Sequence, residues 1–270
     1  MKLFNYFSGT VPIIVSIPHT GTYVPDTILE RFTTPAKQLP DTDWHLDKLY
    51  AFARSMGIHM LVATHARYVV DLNRAQDGTS LYPGKFTTGL CPTTMFDGTP
   101  IYQNGMEIDD NEIQDRIQAY WQPYHNKLQS LIDELKNSND RVIVFDAHSI
   151  RSQEPKLFEG LLPNLNLGTA DGQSARQELT TKLITYCNNT HYSSVLNGRF
   201  KGGYITRYYG NPAQGVDAIQ LEMTQTNYMN EAFPFTYDYD KAKKCQEMLF
   251  GLLSILVDEY QFDQKHLQLT

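Results

Sequence analysis

VIVFDAHSI, Val142–Ile150, opens with three β-branched residues and a phenylalanine and then runs into Asp146 and His148. Four consecutive apolar positions, in place of strict alternation, mark an inner strand covered on both faces. A core strand that closes on an acid and an imidazole needs a reason, and three other runs pose the same question. IIVSIPH ends at His19, VVDLNRA carries Asp71, Asn73 and Arg74, and AIQLEMT carries Glu222. Strands are expected at Val11–Ile17, Met60–Thr64, Tyr68–Leu72, Val142–Phe145, Ser193–Leu196 and Ala218–Met223.

Working outward, helical spacing lies between these runs. Leu46, Leu49, Tyr50 and Ala53 predict a helix over Asp43–Met56 closed by Gly57. A longer one is expected over Asp109–Lys136, bent or divided by Pro123. Two more are expected over Asp171–Cys187 and Asp240–Tyr260. Strands alternating with helices imply an α/β fold, a mostly parallel central sheet covered by helices in three layers. Ala75–Gly105 and Lys201–Pro212 hold too much glycine and proline for regular elements, and they read as walls or lids of a site. No repeat, low-complexity tract or composition shift marks a boundary, so residues 1–270 read as one domain.

Bulk properties narrow the function classes. Of 270 residues, 41% are hydrophobic and 20% charged, as in an ordinary globular protein. The net charge of −7 argues against a nucleic-acid partner, though a basic pocket for a small anion stays open. Three dispersed cysteines without a CxxC pair suit a reducing compartment. The N-terminal stretch lacks a signal-peptide layout, and no run approaches the roughly 20 apolar residues of a membrane span. A cytoplasmic protein without membrane attachment is expected, as monomer or small homo-oligomer.

In open α/β sheets ligands bind beyond the carboxyl ends of the strands, where the four polar endings would converge. His19, His148 and Asp43 would then supply two imidazoles and a carboxylate, the donor set of a catalytic zinc site with one position open. Glu222 would be a carboxylate able to take a proton from water. Arg67, Arg74 and Arg207 point to an anionic substrate or a developing oxyanion. Each also has an ordinary structural reading. His19 beside a proline turn, a buried Asp146–His148 pair, a surface Glu222 and a solvated helix start in DTDWHLD leave the metal site open on spacing alone.

Six segments taken together, SIPHTG, DTDWHLD, ARYVVDLNRA, DAHSI, FKGGYITRYYG and QLEMTQTNYM, resemble the N-formylglutamate amidohydrolases from about Pro12 to Met229. The resemblance implies a metal-dependent hydrolase of the zinc-exopeptidase architecture that cleaves N-formyl-L-glutamate to formate and L-glutamate, closing a histidine-degradation route. It implies carboxylate-gripping roles for Asn73 and Arg74, carbonyl polarisation by Arg67 and general-base duty for Glu222. It also implies one divalent ion, zinc, or cobalt or manganese in its place. Such relatives take two ligands from an HxxE segment, but position 22 here is Thr22. The second ligand is therefore expected from DTDWHLD: Asp43, with Asp41 or His45 as substitutes. Arg207, with Lys201 and Tyr204, is expected at the second substrate carboxylate. The alternatives are a deacylase of succinylated or acetylated amino acids on the same fold and a non-catalytic binder of small anions.

Overall fold

The computed structural model describes residues 1–79, 84 and 87–267, with side chains to residue 260. Within them β1 (Phe4–Phe7), β2 (Ile13–Ile17), β3 (His59–Ala63), β4 (Val142–Ile150), β5 (Leu165–Gly168), β6 (Ser194–Leu196) and β7 (Val216–Thr224) form one sheet in the order β1-β3-β2-β4-β7-β5-β6. β3, β2, β4 and β7 run parallel to one another. β1 and β5 pair antiparallel with β3 and β7, and β6 follows β5 in parallel. The parallel centre follows from the long connections, which leave room for crossover helices.

The helices are α1 (Asp26–Leu29), α2 (Leu46–Leu49), α3 (Asp110–Arg116), α4 (Gln122–Lys136), α5 (Gln177–Asn188), α6 (Tyr204–Tyr209) and α7 (Tyr239–Leu267). Strand side chains alternate between faces. Ile143, Phe145, Ile219 and Leu221 therefore pack with Leu49 of α2, Leu183 of α5 and Leu252 of α7. Val142, Val144, Val216 and Ala218 pack with Tyr124 and Leu128 of α4 and Ile205 of α6. Helices on both faces make the three layers. The second series continues in the same parity into Asp146 and His148 on β4 and Gln220 and Glu222 on β7. One face of the sheet thus turns from apolar to polar at its carboxyl edge.

The expected strand at Tyr68–Leu72 is instead a run of turns. Its apolar residues are buried as a core strand's would be, but its backbone groups find partners outside a ladder. Arg116 Nη1 donates to Tyr68 O and Val69 O, His125 Nε2 donates to Leu72 O, and Asp71 N donates to Leu90 O. Asp71 Oδ1 accepts from Asn73 N in an Asx turn. Every group so satisfied is one that no strand has to supply.

Other elements shift for local reasons. The helix expected over Asp43–Met56 is only α2 followed by a 3-10 segment, Ala51–Met56, because His45 lies at φ 64; Gly57 closes it at φ 75, as expected. Pro123 sits in the first turn of α4, after a π-helical break at Ile117–Trp121. α5 begins at Gln177, not Asp171, which lies at φ 56. α7 extends to Leu267. Lys201–Pro212, expected to be irregular, contains α6. Ala75–Gly105 has no helix or strand among its described residues, and residues 80–83, 85 and 86 lie outside them. No helix among the described residues is long and apolar enough to cross a membrane.

Candidate metal centre and active site

His19 follows β2, His148 lies in β4, and Asp43 sits in the turn before α2, where its backbone N–H donates to His19 O at 3.1 Å. One donor atom from each of the three lies within 4.8 Å of the others, and all three residues are buried. Asp41 and His45, the substitutes, turn elsewhere. Asp41 Oδ2 accepts from Phe96 N at 2.8 Å, and His45 Nε2 donates to Phe235 O at 2.7 Å.

The outer partners fix how the imidazoles point. His19 Nε2 donates to Asp71 Oδ1 at 2.7 Å, leaving Nδ1 3.8 Å from Asp43 Oδ2. His148 Nε2 lies 2.9 Å from both Asp146 Oδ2 and Asn73 Nδ2, and its Nδ1 lies 3.1 Å from Asp43 Oδ2. A carboxylate behind each histidine is the arrangement that orients metal-ligating imidazoles. His19 Nδ1 and Asp43 Oδ1 are buried with no hydrogen-bond partner. Buried polar atoms are seldom left unmatched, and two of them within one His–Asp–His set fit a divalent cation.

Charge balance agrees. Burial and the Arg67 guanidinium push the His19 imidazole below its ordinary value against the pull of Asp71 and Asp43, which keeps it in the ligating, neutral form. Burial acts the same way on His148, but Asp146 and Asp43 outweigh it and raise that group well above its ordinary value: these carboxylates call for positive charge between them. Asp71 would be raised by burial, yet His19, Arg67 and Arg74 hold it well below the usual carboxylate range.

Glu222 stands opposite His148 in the β4–β7 register. Burial pushes its carboxyl up to about 8, opposed by His148 and Arg67 and assisted by Asp43 and Asp146. Gln220 Nε2 donates to Glu222 Oε2 at 3.2 Å. Arg67 is 6% exposed; its Nη2 donates to Asp71 Oδ2 at 2.7 Å and its Nη1 lies 3.7 Å from Asp43 Oδ1.

His19, Arg67, His148, Gln220 and Glu222 line a cleft of about 570 Å³ together with Asn73, Arg74, Phe96, Arg199 and Phe200. Arg74 is held by Thr88 O and Asn73 O at 3.0 and 3.1 Å. Asn73 reaches the cleft with both ends of its amide engaged: Oδ1 accepts from Ile205 N at 2.8 Å, and Nδ2 donates to Asp146 Oδ2 at 3.1 Å. The structure does not bring Arg207, Lys201 or Tyr204 to the cleft lining. Arg207 Nε donates to Gly202 O, Lys201 Nζ to Asp171 Oδ2, and the Tyr204 ring packs on Trp121 and His125.

Sequence reasoning missed Asp71, Asp146 and Arg199 as site groups. The first two lie inside quoted motifs, two residues before Asn73 and two before His148; acids at that spacing from candidate functional residues were the available signal. Arg199 directly precedes the FKGG segment, and only its neighbours were weighed.

The sequence model of the N-formylglutamate amidohydrolase family matches residues 11–229. Two N-formylglutamate deformylases, from Pseudomonas putida and Pseudomonas aeruginosa, are each 43% identical over 257 residues, covering 95% of this chain and 96% of theirs. Among solved structures, an N-formylglutamate amidohydrolase from Ralstonia eutropha JMP134 superposes with a TM-score of 0.82 at 21% identity, over 98% of this chain and 100% of that one. A gene product from Agrobacterium tumefaciens superposes at 0.70 and 14% identity, over 95% and 96%. The last two are likenesses of fold.

Proposed function

Since the chain belongs to the N-formylglutamate amidohydrolase family, we propose that it hydrolyses the amide of N-formyl-L-glutamate to formate and L-glutamate, the closing step of a histidine-degradation route. The observation that carries the chemistry is the pair of buried atoms without a hydrogen-bond partner, His19 Nδ1 and Asp43 Oδ1, beside His148, Glu222 and Arg67.

His19, Asp43 and His148 would hold one divalent ion, zinc by donor type, with cobalt or manganese as alternatives. When bound, such an ion supplies Lewis acidity, polarising a carbonyl and lowering the pKa of water from about 15.7 towards about 7. Glu222, whose burial raises its appetite for a proton, takes one from the water that attacks the formyl carbon. It then delivers that proton to the amine nitrogen as the C–N bond breaks, so that formate and glutamate leave balanced. Arg67, held charged by Asp71 and Asp43 in spite of burial, faces the oxygen on which negative charge develops. Arg74 pairs with a substrate carboxylate. Asn73 keeps Arg74 in place by tying its own turn to the start of α6. All three cysteines are free and buried, which supports a reducing compartment such as the cytoplasm.

The test is a product assay on N-formyl-, N-acetyl- and N-succinyl-L-glutamate with zinc-loaded protein. Formate release from the first at the highest kcat/KM is expected. Preferred cleavage of another acyl group would transfer the reading to that deacylase, and binding without cleavage of any of them would favour the non-catalytic anion binder.

A further inference from the structure

The proposed substrate carries two carboxylates and develops a third negative oxygen during hydrolysis. Among the described residues lining the cleft, the guanidinium groups are those of Arg67, Arg74 and Arg199. Arg67 is bound to Asp71 beside Asp43, one of the proposed metal ligands. Arg74 is braced by Thr88 and Asn73. A second carboxylate anchor is still required, and Lys201 and Arg207 do not line the cleft.

We propose that Arg199 recognises the side-chain carboxylate of the substrate and so makes the site selective for N-acyl amino acids with an acidic side chain. The inference rests on the hydrolase reading above.

Three observations place Arg199 for this task. It lies in the connection between β6 and α6, and its Nε donates to Leu157 O at 2.5 Å, which ties it to the segment after β4. Its guanidinium carbon is 5.1 Å from the centroid of the Phe200 ring. Both contacts limit the side chain's freedom, so less entropy is lost when it meets an anion. Around it the cleft wall is apolar, made by Phe96, Ile150, Leu157 and Phe200. That wall suits the two methylenes of a glutamate side chain and strengthens a charge pair at its end. A neutral side-chain amide would fill the same space and forgo the charge-assisted bonds.

The test compares kcat/KM for N-formyl-L-glutamate with that for N-formyl-L-glutamine in zinc-loaded wild type, Arg199→Ala and Arg199→Lys. Arg199→Ala is expected to lower the acid-over-amide preference at least about tenfold, with the loss carried by KM for the acid, and Arg199→Lys to restore part of it. A preference within about twofold of wild type, or equal losses on both substrates, would overturn the proposal. If the wild type released no formate from either compound, the hydrolase reading would fail on its own. The same acid-over-amide ratio, read as dissociation constants by calorimetry, would then decide the role of Arg199.

Discussion

Glu222 stands level with His148 across two central strands, 8% exposed, in a pocket whose burial lifts its carboxyl to about 8. A carboxyl so placed holds a proton readily, as a group that must take one from water and pass it on has to. Glu222→Gln preserves size and the contact with Gln220, so the variant is expected to keep its fold and its metal. Its turnover is expected to fall by at least about 10²-fold, since general-base catalysis contributes on the order of 10² to 10⁴. Steady-state kinetics with metal analysis check this, and near wild-type turnover would remove Glu222 from the mechanism. At this scale the donor types were legible in the sequence: His19, His148, Asp43, Glu222 and Arg67 are brought into one cleft neighbourhood. Their supporting acids were not, because Asp71 and Asp146 act through their neighbours, and only coordinates say which acid stands behind which imidazole. Arg207 and Arg199 illustrate the limit. They are eight residues apart, Arg199 in the connection after β6 and Arg207 in α6, and nothing in their local sequence tells which one faces the cleft.

The elements explain how these residues meet. β4 and β7 were readable because their apolar series is long, and the parity that buries Val144 and Ala218 carries Asp146, His148, Gln220 and Glu222 onto the same face. VVDLNRA has an equally apolar opening and is not a strand; beside its local turns, its backbone is satisfied by Arg116, His125 and Leu90, which come from 19 or more positions along the chain. β1 and β5 were missed because each is four residues long, one at the sheet's edge and one with a buried asparagine, Asn166. The turn and α6 are locked together at Gly203, whose N–H donates to Gln220 Oε1 at 2.7 Å. A β-carbon there would lie 2.2 Å from Asn73 Nδ2. Gly203→Ala must therefore displace Asn73, and with it the brace of Arg74 and the partner of Asp146. A stability loss of about 1–3 kcal/mol is expected, with a fall in kcat/KM at temperatures where the variant remains folded. Denaturant unfolding paired with kinetics measures both, and an unchanged kcat/KM would mean that the lock has no part in the site.

For the whole molecule, a mostly parallel sheet with helices on both faces gathers its polar groups at one carboxyl edge, as open α/β sheets do. The alternation of strands and helices made this architecture legible before any coordinate. The antiparallel strands β1 and β5 were not legible, since strand direction is set by tertiary pairing. The proposed hydrolysis requires one divalent ion at this edge. The most direct measurement is elemental analysis of the purified protein alongside formate release from N-formyl-L-glutamate, before chelation, after it and after zinc is restored. About one divalent ion per chain, with activity lost on chelation and regained with zinc, is the predicted result. Undiminished formate release from metal-free protein would contradict it.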